Sequence, residues 1–240
     1  ESLASALIAH NIKVVGRSFK YHRPRGLLSI GSEEPNGLFR MGTGPKIEPN
    51  ISATQIEVYD GLVVESQNRW PSLNFDFGAI NSIFSKLIPA GFYYKTFMWP
   101  SSMWEKYEWF IRHAAGLGKA AEEHQDPDRY EHINYHCDIL IAGGGLSGLI
   151  AAYISGLSGA RVVIADEKPE LGGYLLYEDD ITIDGSKGSS WVKKIEQELE
   201  EMENVRILKR SCVFGYHDHN FITISERCSD HLARPPSNLP

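Results

Sequence analysis

The sequence predicts two domains of mixed α/β structure in succession, a small α+β domain followed by an α/β domain with a parallel sheet. Three observations predict this order. Short apolar runs separated by turn residues fill residues 1–65. From residue 137, an apolar strand, a glycine-rich turn, an apolar helix and a second apolar strand follow one another. The chain has 240 residues, 42% hydrophobic and 23% charged, enough for one large or two modest globular domains.

The first 65 residues have the pattern of a small α+β domain. An amphipathic helix is predicted at residues 1–10, because Leu3, Leu7 and Ile8 recur at helical spacing. Short strands are predicted at residues 13–15, 27–30, 37–41, 54–58 and 61–65, each bounded by turn residues.

Residues 66–134 are predicted to be a helical, aromatic-rich connector ending in a charged linker. Apolar spacing predicts one helix over residues 76–87, and a capping box of Ser102 and Glu105 predicts a second helix up to residue 115. Residues 91–100, together with the aromatic residues up to 110, have the highest aromatic density in the chain. Such density is typical of a core or of a subunit interface, and both interpretations stay open.

Residues 135–240 are predicted to form an incomplete Rossmann-type domain that binds FAD or NAD(P). A buried strand (137–142) enters a glycine turn (143–148), a helix continues to about residue 157, and a second strand (162–165) ends in Asp166. A further helix, a third strand (205–208) and a hairpin follow.

Each residue type in this turn suits the binding of a dinucleotide. Gly143 allows the tight turn, Gly145 lets the backbone approach a pyrophosphate, and Gly148 lets the helix pack closely on the strand. Asp166 accepts hydrogen bonds from the adenosine ribose, and with Glu167 it repels a 2′-phosphate. NAD or FAD is therefore favoured over NADP, and these residues suit either of the two.

Composition excludes several classes of function. A net charge of −7 argues against a nucleic-acid-binding surface, although residues 17–25 form a local basic cluster that we interpret as a solvated or interdomain face. Apolar runs are too short to span a bilayer, and the N-terminus lacks a signal-peptide pattern. With only three cysteines, the sequence predicts a cytoplasmic protein.

The sequence indicates neither a metal centre nor catalytic residues. His217 and His219 lie on a predicted hairpin turn without a third ligand nearby, so we assign no metal. Four further histidines, His10, His22, His113 and His136, are scattered singly, and no residue has an obvious role as acid, base or nucleophile.

Four unusual segments resemble the N-terminal part of the alpha subunit of heterotetrameric sarcosine oxidase. They are GRSFKYHRPRG (16–26), EEPN (33–36), SQNRWP (66–71) and PAGFYYKTFMWP (89–100). The likeness covers nearly the whole chain and includes the glycine turn. Because the chain begins without methionine and stops in apparent coil, we expect it to be a fragment, and the resemblance implies that it is the N-terminal part of such a subunit.

The resemblance implies a complex of alpha, beta, gamma and delta subunits that oxidises sarcosine to glycine. The complex forms hydrogen peroxide and 5,10-methylenetetrahydrofolate, with FAD in the beta subunit and FMN at the subunit interface. The alpha subunit would bind NAD without using it for hydride transfer. The sarcosine and tetrahydrofolate sites would lie outside this chain.

The resemblance also implies roles for individual residues. Ser147 would meet the pyrophosphate, Lys168 the outer edge of the ribose, Tyr174 the region after the double glycine, and Val213 the adenine. The first domain would be ferredoxin-like, of the [2Fe-2S] type. Because residues 1–136 contain no cysteine, we expect no Fe–S cluster.

Two alternatives stay open. The chain could instead be part of the alpha subunit of another secondary-amine dehydrogenase, of opine or proline type, using FAD; the missing cysteines favour the sarcosine branch. It could also be a noncatalytic nucleotide-binding assembly module, because no catalytic residue is identifiable.

Overall fold

The structure, a computed structural model, describes residues 1–87, 91, 97 and 99–232. The chain divides into two compact units, Glu1–Asp128 and Arg129–Pro240. Both contain helices and strands, which confirms the mixed α/β class. The domain bounds predicted at residues 65 and 134 stay predictions.

The first unit begins with helix α1 (Leu3–Ala9), which Ser2 caps by accepting a hydrogen bond from the backbone N–H of Ser5 at 3.3 Å. A short hairpin of β1 (Gly16–Arg17) and β2 (Pro24–Arg25) follows. Strands β3 (Leu38–Met41), β4 (Glu48–Ser52) and β5 (Val64–Ser66) form an antiparallel sheet in the order β4–β3–β5. Leu3, Val15, Phe39, Met41 and Ile56 build the core between them.

Three strand predictions in this unit are wrong. Residues 13–15 and 27–30 are not strands, and the strand predicted at 54–58 lies earlier, as β4. The sequence did not predict β4, because Pro49 lies within it and proline is unfavourable inside a sheet. It is tolerated here because β4 is an edge strand.

The helix predicted at residues 76–87 is also wrong: two 3₁₀ turns (Phe77–Ser82 and Ser85–Leu87) replace it. Asp76 does not cap a helix, because its buried carboxylate lies 2.9 Å from His22 Nδ1 and accepts the Trp70 N–H at 2.8 Å. Helix α2 (Trp104–Ala114) is confirmed, but a 3₁₀ turn (Ser101–Met103) precedes it and no side chain caps it, so the capping box is wrong.

The aromatic segment is described only in part, because residues 92–96 and 98 lie outside the described residues. Trp99, Trp104, Trp109 and Phe110 are each more than half exposed. For these four side chains the core interpretation is wrong.

The second unit is built on a three-stranded parallel sheet. Its middle strand is the second along the polypeptide and lies between the third strand and the first. Its strands are β6 (Ile139–Ala142), β7 (Val162–Ala165) and β10 (Val205–Leu208). Helix α3 (Leu146–Leu157) connects β6 to β7, and α4 (Gly188–Glu200) precedes β10. This is the strand order with which a doubly wound sheet begins.

Two hairpins complete the unit. Strands β8 (Thr182–Ile183) and β9 (Ser186–Lys187) lie before α4. Strands β11 (Ser211–His217) and β12 (Phe221–Glu226) form the hairpin predicted near the end of the chain. A core cluster that includes Leu149, Ile164, Leu171, Val192 and Leu199 joins the helices to the sheet. In the part of the chain that is described, no helix is long and apolar enough to cross a bilayer.

Candidate functional site

A cleft of about 310 Å³ lies at the carboxyl end of the parallel sheet in the second unit. Ala142 and Ala165, the last residues of β6 and β7, contribute to it, and the turns that follow these strands form its sides. Open α/β sheets bind ligands in this place, because chain segments diverge where parallel strands end. The lining residues are Ala142, Gly143, Ala165, Asp166, Glu167, Lys168, Gly173, Ser211, Cys212 and Val213.

The glycine turn has the geometry that its sequence predicts. Gly143 has a φ of +103°, in the region that favours glycine. A Cβ on Gly148 would lie 1.9 Å from the backbone oxygen of Gly143, so no side chain fits between helix and turn. A Cβ on Gly145 would meet nothing within 4 Å. Space is therefore open at Gly145, where a pyrophosphate is expected to approach the backbone, and it is equally open at Gly143.

Helix α3 begins beside this open space. Its N-cap residue is Gly145, and no side chain caps its first turn. Backbone N–H groups at a helix N-terminus, with the positive end of the helix dipole, attract anionic ligands. Ser147 is exposed in the same turn of the helix.

Asp166 connects the second strand to the glycine turn. Its Oδ2 accepts a hydrogen bond from the Gly144 N–H at 2.6 Å, and its Oδ1 accepts one from the Lys168 N–H at 2.8 Å. Its own backbone oxygen accepts the Ser211 N–H at 2.7 Å. The carboxylate is therefore fixed at the cleft and half-buried.

The double glycine after β7 supports the first glycine turn. Gly172 and Gly173 both have positive φ, at +118° and +53°. The Gly172 N–H donates to the Gly144 oxygen at 2.7 Å, and Gly145 forms a parallel bridge with Gly172. Tyr174 follows as an exposed side chain in a 3₁₀ turn (Gly173–Leu176) whose Leu175 is buried.

Five of the nine predicted site residues line the cleft. They are Gly143, Asp166, Glu167, Lys168 and Val213. The other four, Gly145, Ser147, Gly148 and Tyr174, lie in the turns and the helix end around it.

Sequence reasoning missed five lining residues. Ala142, Ala165 and Gly173 were detectable as the ends of strands and as part of the double glycine. Ser211 and Cys212 carry no motif; they reach the cleft because the chain turns back over the sheet edge after β10.

The other charged and metal-binding candidates show no second site within the residues that the structure describes. In the described ranges, no group of three or more His, Cys, Asp or Glu residues is arranged to hold a metal ion. The basic cluster at residues 17–25 is used partly within its own unit: Arg17 donates to the backbone oxygens of Leu73 and His22, each at 2.9 Å, and the Arg23 guanidinium lies over the Tyr21 ring.

Two protein families match the chain. Residues 1–69 match the 2Fe-2S iron-sulfur cluster binding domain family, and residues 138–221 match the FAD dependent oxidoreductase family. The second match contains the glycine turn and most of the cleft. The segment of the first match contains no cysteine, because residues 1–136 have none.

Solved structures also resemble the chain. L-proline dehydrogenase from P. horikoshii aligns with 93% of the chain and 33% of its own length, with a TM-score of 0.51 and 18% identity. At that identity the likeness concerns the fold alone.

Curated relatives match the chain from end to end. The sarcosine oxidase alpha subunit of Rhizobium meliloti is 52% identical over 100% of the chain, and that of Corynebacterium sp. (strain U-96) is 31% identical over 98%. The chain spans 24% and 20% of their respective lengths. The resemblance first seen in four segments is thereby confirmed, and the chain is related along its whole length to part of the sarcosine oxidase alpha subunit, an oxidoreductase component.

Proposed function

We propose that the cleft binds the adenosine diphosphate half of a dinucleotide, and that this dinucleotide is NAD. The observation that carries the proposal is the open space at Gly145, next to the uncapped start of α3. The N–H groups of that helix turn would hold the pyrophosphate, because they are backbone donors at the positive end of a helix dipole.

The acidic side of the cleft would hold the ribose. The Asp166 carboxylate, fixed by two backbone N–H groups, would accept hydrogen bonds from the ribose hydroxyls. Asp166 and Glu167 together would repel a 2′-phosphate, so the cleft should prefer NAD to NADP. Val213 and Cys212, which also line the cleft, would contact the adenine.

We further propose that the chain belongs to a complex that oxidatively demethylates sarcosine, as its curated relatives support. The products would be glycine, hydrogen peroxide and 5,10-methylenetetrahydrofolate. FMN at a subunit interface, FAD in a beta subunit and the tetrahydrofolate site would lie outside these 240 residues. A nicotinamide can transfer hydride, but we assign this chain a binding role and no catalytic residue.

A second candidate is FAD in the same cleft. The match of residues 138–221 to the FAD dependent oxidoreductase family favours it, because FAD and NAD share the adenosine diphosphate half that this turn would recognise. In that case the complex could oxidise another secondary amine, of opine or proline type. A noncatalytic assembly module would bind either nucleotide without taking part in turnover.

The test uses the full-length protein, purified with the subunits encoded next to it. The complex is denatured, every released nucleotide is identified by mass spectrometry, and sarcosine oxidation is assayed with tetrahydrofolate. NAD together with FMN and FAD, and peroxide formed from sarcosine, would support the proposal. Release of FAD without NAD would favour the second candidate, and absence of sarcosine turnover would contradict the proposed substrate.

A further inference from the structure

The loop at residues 26–37, between β2 and β3, is where the 2Fe-2S family match can be tested against the structure. Plant-type clusters space their first three cysteines as C-x4-C-x2-C. Ser29, Glu34 and Gly37 stand at this spacing in the loop. None of the three can supply a thiolate, and residues 1–136 contain no cysteine, so these residues do not fit an iron–sulfur cluster.

The Glu34 carboxylate occupies the centre of this loop. Its side chain is buried, with 4% of the residue exposed. Oε2 accepts hydrogen bonds from the N–H groups of Leu28 and Ser29, both at 2.7 Å. Oε1 accepts from Asn36 at 2.7 Å and from Gly37 at 3.1 Å. Glu34, at the second ligand position, therefore accepts hydrogen bonds from the backbone of Ser29 at the first position and of Gly37 at the third.

Four convergent N–H groups form an anion-binding arrangement, because each presents a partial positive charge to the same point. Burial works to raise the pKa of Glu34, but the four backbone hydrogen bonds outweigh it, so its pKa lies below the usual value. The carboxylate is therefore ionised at neutral pH and satisfies donors that would otherwise be buried without a partner.

Two further observations single out this loop. Ser29 Oγ, at the first ligand position, is buried and has no hydrogen-bond partner within the described parts of the chain. A residue outside the loop also holds it: the buried Thr54 hydroxyl donates a hydrogen bond to the Gly31 backbone oxygen at 2.6 Å. The loop thus has a fixed shape that Glu34 completes from within.

We infer that Glu34 replaces the cluster: its carboxylate supplies, from inside the chain, the negative charge around which the N–H groups of residues 26–37 converge. The first unit therefore closes without metal, and the place of a cluster is filled by a side chain. This inference concerns the first unit and stands apart from the function proposed for the cleft.

The first experiment measures amide hydrogen exchange by mass spectrometry in the full-length protein, for peptides that cover residues 26–38. Glu34→Gln keeps the size of the side chain but turns an amide NH₂ toward two N–H donors, so exchange in these peptides should accelerate at least about tenfold. The matched control is Glu33→Gln, which removes the same charge from the exposed neighbouring residue and should exchange like wild type. Wild-type protection in Glu34→Gln would overturn the inference.

A second experiment separates charge from packing. In Glu34→Ala, added formate should slow exchange back toward the wild-type rate, whereas neutral formamide of similar size should not. Neither compound should affect wild type or Glu33→Ala. Equal effects of formate and formamide, or no effect of formate, would contradict the role of the charge.

Two measurements cover the remaining outcomes. If Glu34→Ala is insoluble, Glu34→Asp is compared with Glu34→Gln: it keeps the charge on a shorter side chain and should exchange more slowly than Glu34→Gln, and exchange as fast as in Glu34→Gln would overturn the inference. Iron and acid-labile sulfide are measured in wild type after growth with ample iron and sulfur. Stoichiometric amounts assigned to residues 1–69 would show that a cluster is held after all.

Discussion

Gly145 and Gly148, three residues apart at the start of α3, give opposite predictions when each is replaced by alanine. In Gly148→Ala, the new methyl would lie 1.9 Å from a backbone oxygen, where ordinary contact needs at least about 3.4 Å. The atom it meets belongs to the backbone, so no change of side-chain rotamer can relieve the contact. Overpacking should therefore cost about 3 kcal/mol, at the upper end of the usual range. The gain in helix propensity, about 1 kcal/mol, offsets only part of this.

The net loss of about 2 kcal/mol should lower the midpoint of thermal unfolding by about 4–8 °C. In Gly145→Ala the methyl meets no atom, and the backbone (φ −71°, ψ −174°) suits any residue. The N-cap change should cost at most about 1 kcal/mol, or about 2–4 °C. The same methyl, however, fills the space through which a pyrophosphate would approach, so nucleotide affinity should fall at least about tenfold.

The assay combines differential scanning fluorimetry with the nucleotide content and NAD affinity of the purified full-length protein. Gly145→Ala should be nearly as stable as wild type but poor in nucleotide, whereas Gly148→Ala should lose stability. Full nucleotide content in Gly145→Ala would refute the assignment of this turn to the pyrophosphate. Wild-type stability of Gly148→Ala would refute the packing argument.

Three further predictions follow from the second unit. Asp166→Asn should weaken NAD binding and narrow the preference for NAD over NADP, because it removes a negative charge and turns an NH₂ group toward a backbone donor; an unchanged ratio of the two dissociation constants would contradict this. The side-chain hydrogen bond from Arg161 lowers the pKa of Asp138 from 3.8 to about 2. A group whose pKa is lower in the folded state stabilises the fold at pH values above its unfolded pKa, and this contribution is lost as the pH falls. The difference in unfolding free energy between wild type and Asp138→Asn should therefore shrink between about pH 4 and pH 2. A difference that stays constant over this range would argue against the ion pair as its cause. Leu199→Ala, in the buried core, should lose about 2–5 kcal/mol in chemical denaturation, whereas Leu157→Ala, at an exposed position, should lose far less; equal losses would show that burial is not the cause.

The parallel sheet and its glycine turn could be predicted because their rules act over short stretches of chain. Apolar runs at 137–142 and 162–165 predicted both strands, and the tight turn expected at Gly143 is formed with a positive φ at that residue. Gly148 was expected to let the helix pack closely on the strand; a Cβ there would lie 3.4 Å from Ile141 Cγ2 in the strand, but its tightest contact, 1.9 Å, is with the backbone oxygen of Gly143 in the turn. Each of these features depends on neighbours within about thirty residues, which is the length of one βαβ unit.

The errors arose where distant contacts override local preference. Asp76 was expected to be the first residue of a helix. Its carboxylate instead contacts His22, which is distant in sequence, and accepts a hydrogen bond from the backbone N–H of Trp70. The buried position of Glu34 was equally invisible, because an acidic pair in a loop normally indicates a solvated surface. Cys212 carried no signal, since only the return of the chain over the sheet edge brings it to the cleft.

The alignment of the three parallel strands limits how this chain can change in length. Val162–Ala165 pairs residue for residue with Ile139–Ala142 on one side and with Val205–Leu208 on the other. A single deletion inside any of these strands would reverse the faces of the side chains beyond it, and one in β7 would also withdraw Asp166 from the turn it binds. Insertions and deletions in related sequences should therefore collect in the exposed β8–β9 hairpin and be absent from the three strands.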